Sequence, residues 1–191
     1  MAKPDERFVF QPLKTARLQL ILPEPADALR LVRYYEENKQ HFAPWQSLRS
    51  EEFYTEAFWL AEIARLRDDF RSDRGLTVVL VDNFDPEGKV LGQISLMNII
   101  RGVFHGCFLG YSVHHQAEGK GLMFEAVTTV IAYAFNEMQL HRIMANYIPT
   151  NERSARLLQR LGFVIEGYAR NYLFLGGKWR DHVLTSLVKP N

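Results

Sequence analysis

Six consecutive residues, Gln116, Ala117, Glu118, Gly119, Lys120 and Gly121, stand between an apolar run ending at Val113 and an amphipathic stretch opening at Leu122. That order predicts a strand, a glycine turn and a helix. Gly119 and Gly121 leave backbone N–H groups uncovered, and the helix that follows adds unpaired N–H groups of its own, so several donors converge on one anion. A phosphate-bearing ligand suits such a cradle. The spacing excludes two other phosphate binders. A nucleotide P-loop needs Ser or Thr after its Lys to hold magnesium, whereas Lys120 is followed by Gly121 and Leu122. The dinucleotide fingerprint fails at its third glycine, a position held here by Phe124. Alone, the pattern Gln/Arg-x-x-Gly-x-Gly/Ala says little, since average usage gives roughly 0.2 chance matches in a chain of this length.

The surrounding elements must therefore carry the argument. Leu18, Leu20 and Leu22 alternate with Arg17, Gln19 and Ile21 until Pro23, which predicts a first strand. Residues 25–37 carry Ala28, Leu31, Val32 and Tyr35 at helical spacing, 41–49 read as a loop around Pro44 and Trp45, and 50–71 read as a longer helix striped by Phe53, Ala57, Leu60, Ala61 and Ala64. The period then changes. Residues 76–81 are β-branched and apolar, Asp85-Pro86-Glu87-Gly88 signals a turn, 90–100 resumes as strand, and a turn over 101–106 leads into 107–113. Such short connections predict an antiparallel meander. Past the glycine turn, apolar spacing marks a helix over 122–138, and 142–147 is the next strand. A helix over 151–161 takes Thr150 or Asn151 as its N-cap, turns Leu157, Leu158 and Leu161 inward, and stops at Gly162. Strands over 163–171 and 179–187 meet across Gly176-Gly177. The predicted fold class is α/β in the mixed α+β sense: a mostly antiparallel central mixed sheet of about seven strands, with helices on both faces.

With 191 residues, 47% of them hydrophobic, the chain can bury one substantial core, and residues 1–191 are expected to form a single domain. A formal net charge of +1 provides no broad basic field for general nucleic-acid binding. Cys107 is the one cysteine, so no intrachain disulfide forms, and the opening Met-Ala-Lys-Pro-Asp-Glu has no apolar signal core. A cytoplasmic protein without a membrane span is expected.

In this order the elements resemble the GCN5-related N-acetyltransferase (GNAT) superfamily. Four features match in succession: the strand over 108–113, the turn over 116–121, its helix, and Asn151-x-x-Ser154 leading to Leu161-Gly162-Phe163. The joint match is much more specific than any part. It implies acetyl-CoA as cosubstrate, with the pyrophosphate on the turn amides and the pantetheine arm lying beside Tyr111, Ser112 and Val113 like an added strand. An exposed strand edge can pair with the amides of such an arm. Within the superfamily the chain is most similar to the RimJ/RimL-type ribosomal-protein alanine N-acetyltransferases, and to RimJ above all. This likeness spans nearly the whole length. It rests on Leu13-x-Thr15-x-Arg17-Leu18, Phe42-Ala43-Pro44-Trp45, Gly110-Tyr111-Ser112 and Gly177-Lys178-Trp179-Arg180-Asp181-His182. The implied partner is the N-terminal segment of a small-subunit ribosomal protein beginning with alanine, with association to the ribosome left open.

The resemblance implies direct transfer of acetyl from thioester to amine. An α-amino group has a pKa of about 7.7 to 8.0, so a useful fraction is neutral near pH 7 and the base has a light task. Positioning and oxyanion donors should then supply most of the acceleration, with a backbone N–H over 111–113 as the donor. Asn151 is a candidate for gripping the pantetheine or an ordered water, because an amide donates and accepts at once. Capping its own helix is an equally good reading. Ser154 lies one turn later on the same face. Related enzymes place a Ser or Tyr near this position to protonate the departing thiolate, although Ser154 could be an ordinary small helix residue. The cofactor set is thus Tyr111, Ser112, Val113, the six turn residues, Leu122, Asn151 and Ser154.

No carboxylate occupies the strand over 108–113, where some relatives keep a general-base Glu. Glu166 is the remaining carboxylate candidate against the commoner reading of a solvated strand Glu. His141, His105, Tyr147 and Tyr172 are weaker, and a water relay meets the demand equally well. On the substrate side stand Trp45, which could wall a peptide site or simply anchor its loop, and Tyr172. His114-His115 looks metal-like, but neighbours on a strand end diverge, so no metal is expected. Cys107 reads as a buried small hydrophobe. Arg153, Arg156 and Arg160 recur along a helix face that could meet RNA or the CoA ribose phosphate, and a solvated face is the favoured reading. Two rivals remain: the same fold acting on a polyamine, antibiotic amine or lysine side chain, and a non-catalytic ribosome-assembly factor.

Overall fold

Alternation along one strand sets the architecture. In the computed structural model, which describes residues 9–190, Leu76–Asp82 is a strand buried on both faces except at its last residue. Leu76, Val78 and Leu80 join one apolar cluster and Val79 joins another, so the sheet needs helices on both sides. The opening Met-Ala-Lys-Pro-Asp-Glu lies outside the described residues.

Among the described residues, eight strands share one sheet: β1 Leu13–Lys14, β2 Leu18–Ile21, β3 Leu76–Asp82, β4 Gly92–Ile100, β5 Gly106–Val113, β6 Arg142–Tyr147, β7 Val164–Leu175 and β8 Lys178–Val188. Their spatial order is β1-β2-β3-β4-β5-β6-β8-β7. The expected β3–β4–β5 meander is antiparallel throughout. The expectation of about seven strands omits β1, whose two residues are too few to show a period. The tail hairpin runs further than 163–171 and 179–187, closing on Gly176-Gly177 at φ 58° and 77°. Both positive values suit the tight two-residue turn that joins twisted strands.

Among the described residues, five α-helices cover the faces: α1 Ala28–Glu37, α2 Lys39–Phe42, α3 Glu56–Arg71, α4 Leu122–Asn136 and α5 Glu152–Arg160. On one face, Met123, Ala126, Val127 and Val130 of α4 pack on Leu18, Leu80, Ile94, Leu109 and Ile143 of the strands. On the other, α1 and α3 bury Leu31, Tyr35, Trp59 and Ile63 against Val79. The helix expected over 50–71 is in fact broken. Glu51–Tyr54 is a 3-10 turn, and α3 restarts after Thr55, whose extended backbone and Oγ1, accepting from Phe58 N at 3.3 Å, make it a true N-cap. The loop expected over 41–49 begins inside α2. No helix among the described residues is long and apolar enough to cross a membrane.

One pairing positions the site. β5 and β6 are the sheet's parallel neighbours, yet their register covers only Gly106–Arg142, Cys107–Ile143 and Phe108–Met144. Beyond that seam the strands part, and the edge of β5 from Leu109 to Val113 that faces β6 pairs with no strand among the described residues. The result is a fork, open towards the glycine turn.

Candidate active site

The fork opens into a cleft of about 910 Å³, a volume suited to a ligand of cofactor size. Its walls come from four places: β5 with Tyr111, Ser112 and Val113, the turn with Ala117, Glu118, Gly119 and Gly121, the first turn of α4 from Leu122 to Phe124, and α5 with Asn151 and Ser154. His41, Phe42 and Trp45 close the side nearest α2.

At the turn the local structure follows from the residues. His115–Ala117 forms a 3-10 turn in which Ala117 N donates to His114 O at 2.8 Å and Gln116 N donates to His114 Nδ1 at 3.2 Å. Those two amides are spent internally. Gly119 and Gly121 then adopt φ 71° and 76°, a left-handed backbone open to glycine at little cost. The N–H groups of Gly119, Lys120 and Gly121 find no acceptor among the described residues. Gly121 is also the N-cap of α4 and brings no side chain to satisfy the helix's first amides. Converging free donors and the positive end of α4 therefore meet at this point.

Deeper in the fork, two hydroxyls meet. Tyr111 Oη and Ser154 Oγ lie 2.5 Å apart, joining β5 to α5 across the cleft. Burial pushes the Tyr111 phenol up to about 12, outweighing the opposing effect of the Ser154 hydrogen bond, so the phenol stays protonated through the neutral range. Asn151 Oδ1 accepts from Ser154 N at 3.1 Å, which makes Asn151 the N-cap of α5 and fixes where Ser154 projects. Both readings of Asn151 stay compatible: the oxygen caps the helix, while the amide nitrogen has no acceptor among the described residues. On the α1 side, Tyr34 Oη and Ser112 Oγ lie 2.8 Å apart, which ties β5 to that helix.

Charge around the cleft is largely paired. Glu118 lies 3.1 Å from His41 Nε2 and also bonds Arg153, while Arg156 bonds Glu152 at 3.0 Å. The Arg160 guanidinium stands 4.5 Å from the centre of the Phe124 ring, a cation–π contact. The α5 arginines are thus more than the solvated face expected, because Arg153, Arg156 and Arg160 also form the cleft's rim.

The other expected residues fall in different places. Trp45 lines the cleft, whereas Gln116 and Lys120 line a smaller hollow of about 390 Å³ behind the turn. Glu166 does not reach the cleft. It sits on exposed β7 and is ion-paired with Arg142 at the seam end of β6, and the hydrogen bond from Arg142 holds its carboxyl below the ordinary range. A carboxylate so placed is a poor proton acceptor. Tyr172 packs 5.5 Å from the His182 ring and is absent from the cleft lining. His141 and His105 join through their backbones at 2.7 Å, beyond the seam and away from the open end. The His114 and His115 rings do not diverge as expected. They stack at 4.5 Å with planes 27° apart, because the strand ends at Val113 and the chain turns at once. Their nitrogens are engaged by Glu37 at 3.0 Å and Asn38 at 2.9 Å. Cys107 is fully buried and burial lifts its thiol to about 12, in keeping with a small core residue. Sequence reasoning missed His41 and the role of Phe124, for which only their proximity to the first loop and the turn gave any signal.

A forked mixed sheet with an uncovered glycine turn at its mouth is the architecture of an acetyltransferase, and a family model described as "Acetyltransferase (GNAT) domain" matches residues 17–164. The chain belongs to this family. At 44% identity over 180 residues, covering 94% of this chain and 91% of the relative, it is similar to the [ribosomal protein uS5]-alanine N-acetyltransferase of Escherichia coli K12. The crystal structure of the ribosomal-protein-S5-alanine acetyltransferase from Vibrio fischeri superposes with a TM-score of 0.89 at 38% identity, covering 95% of this chain and all 100% of that one. Mycobacterium smegmatis RimJ in complex with CoA-disulfide gives a TM-score of 0.85 at 27% identity, covering 93% and 86%.

Proposed function

We propose that this protein transfers acetyl from acetyl-CoA to the N-terminal alanine amine of a small-subunit ribosomal protein, in the cytoplasm and through one domain spanning 1–191. The observation that carries the chemistry is the continuous path from the free amides at 119–121, along the unpaired β5 edge, to the Tyr111–Ser154 hydroxyl pair. The acceptor is inferred from the uS5 specificity named for the Escherichia coli relative.

In this reading the pyrophosphate sits on the Gly119–Gly121 amides and the pantetheine arm pairs with the edge over 109–113. The Arg156 and Arg160 rim faces the nucleotide end. Trp45 walls the peptide groove. The neutral amine attacks the thioester carbonyl, the N–C bond forms as the C–S bond breaks, and the thiolate takes a proton through the Tyr111–Ser154 pair. The amine's own proton leaves to water, because both carboxylates on the cleft wall, Glu118 and Glu152, are held by arginines. That pairing also disfavours a polyamine acceptor, which would call for unpaired carboxylates.

The test is incubation of the purified protein with acetyl-CoA and a peptide beginning with alanine, read by mass spectrometry, with an N-blocked lysine-containing copy as control. Modification of the free α-amine alone is expected. Modification of the lysine copy, or of neither peptide while acetyl-CoA still binds, would remove the proposed acceptor.

A further inference from the structure

The Thr15-x-Arg17 segment ahead of β2 reaches across the molecule to the back of the glycine turn. Arg17 Nη1 donates to Lys120 O at 2.8 Å, while its Nε and Nη2 hold Glu125 Oε2 at 2.8 and 2.7 Å. Glu125 Oε1 accepts from Arg17 N at 2.9 Å and from the Thr15 hydroxyl. One carboxylate in the first turn of α4 is therefore gripped from both sides, and the guanidinium it fixes is pinned to the turn's backbone.

The stereochemistry of the peptide gives this staple a purpose. The described chain has no cis peptide bond, so the Lys120 carbonyl and the Gly121 N–H of one peptide plane point in opposite directions. Arg17 and Lys120 line the hollow behind the turn, while Gly121 lines the cleft in front. Holding the carbonyl backwards aims the amide forwards. Pairing with Arg17 also neutralises a carboxylate that would otherwise stand beside a bound anion. Without the staple, two left-handed glycines at 119 and 121 would leave this peptide free to rotate.

We propose that Arg17, held by Glu125 and Thr15, is a positioning residue that presents the Gly121 amide to the pyrophosphate of the acyl donor. The inference rests on the acetyl-CoA reading above. It is tested by comparing acetyl-CoA with S-acetyl-pantetheine, a donor that lacks the pyrophosphate, in wild type, Arg17→Ala and Arg17→Lys. Arg17→Ala should raise KM for acetyl-CoA about tenfold, the size of one charge-assisted contact, with kcat and the KM of the acceptor peptide within about twofold. Arg17→Lys, which can reach either the carboxylate or the carbonyl but not both, should fall between. Use of S-acetyl-pantetheine should be the same in all three proteins. Equal losses with both donors would mean a general structural role and would overturn the proposal, as would an unchanged KM for acetyl-CoA in Arg17→Ala. Wild type that transfers from S-acetyl-pantetheine yet shows no advantage with acetyl-CoA would instead remove the pyrophosphate cradle itself.

Discussion

At the mouth of the fork the cleft presents backbone, and deeper in the fork it presents side chains. The turn offers amides at 119–121 whose availability depends on two glycines and on a staple from the segment between β1 and β2. The inner site offers the Tyr111 and Ser154 hydroxyls, one from a strand and one from a helix, 43 positions apart in the chain. Backbone recognition tolerates any side chain that leaves the conformation intact. Side-chain chemistry fails with the loss of a single oxygen. On the proposed function the difference separates binding from turnover along one cleft, and substitutions at the two places should separate them too.

The largest effect is expected inside the fork. Tyr111→Phe should lower kcat by about 10²-fold, the scale of a lost general acid, with KM for acetyl-CoA little changed. Ser154→Ala should lower kcat comparably, and the double variant should be no worse than the more impaired single one, since residues acting as a unit are not additive. Additive losses in steady-state kinetics would break the pair into two independent roles. At the mouth, Gly119→Ala should raise KM for acetyl-CoA about tenfold and leave kcat near wild type. A Cβ there would meet nothing within 4 Å, so the cost is the left-handed backbone, about 1–2 kcal/mol, and not crowding.

The pH profile sharpens the same division. If the amine's own ionisation limits the reaction, kcat/KM for the peptide should rise severalfold between pH 7 and 9 as an α-amine of pKa about 7.7 to 8.0 loses its proton. It should then stay level. Tyr111, lifted to about 12 by burial, keeps its proton throughout and imposes no descending limb in that range. A fall above pH 9 would point to an acid other than Tyr111. The smallest effect belongs to Glu166→Gln, which should change kcat and both KM values by less than about twofold, since the carboxylate is bonded to Arg142 outside the cleft.

How far the sequence reached depended on the range of the interaction. The meander, α4, β6 at its observed bounds and the Asn151 cap are local patterns, readable from period and spacing. The glycine turn was readable because its conformation needs glycine itself. What escaped depends on distant partners. The Arg17–Glu125 staple spans 108 positions, and the break at Thr55 hides within a run of helix-compatible residues. The stacking of His114 on His115 depends on the 3-10 turn that starts at His115 directly after β5, which the end of the strand at Val113 does not by itself announce. Glu166 stands outside the cleft for a similar reason: the local period marks a strand there, but not that the strand is the edge of the sheet, separated from β6 by β8.

The short seam between β5 and β6 has a mechanical consequence. Three residue pairs join the two halves of the sheet, and Tyr111 rides on one half while Ser154 rides on the helix that follows the other. The seam is a fulcrum and the two strands are its arms. A change of volume at Cys107 or Ile143, both fully buried there, would alter the angle between the arms, and the distance between the two hydroxyls would register it as displacement several residues away. Repacking a methyl group at the hinge could thus detune turnover without touching any atom that meets the substrate.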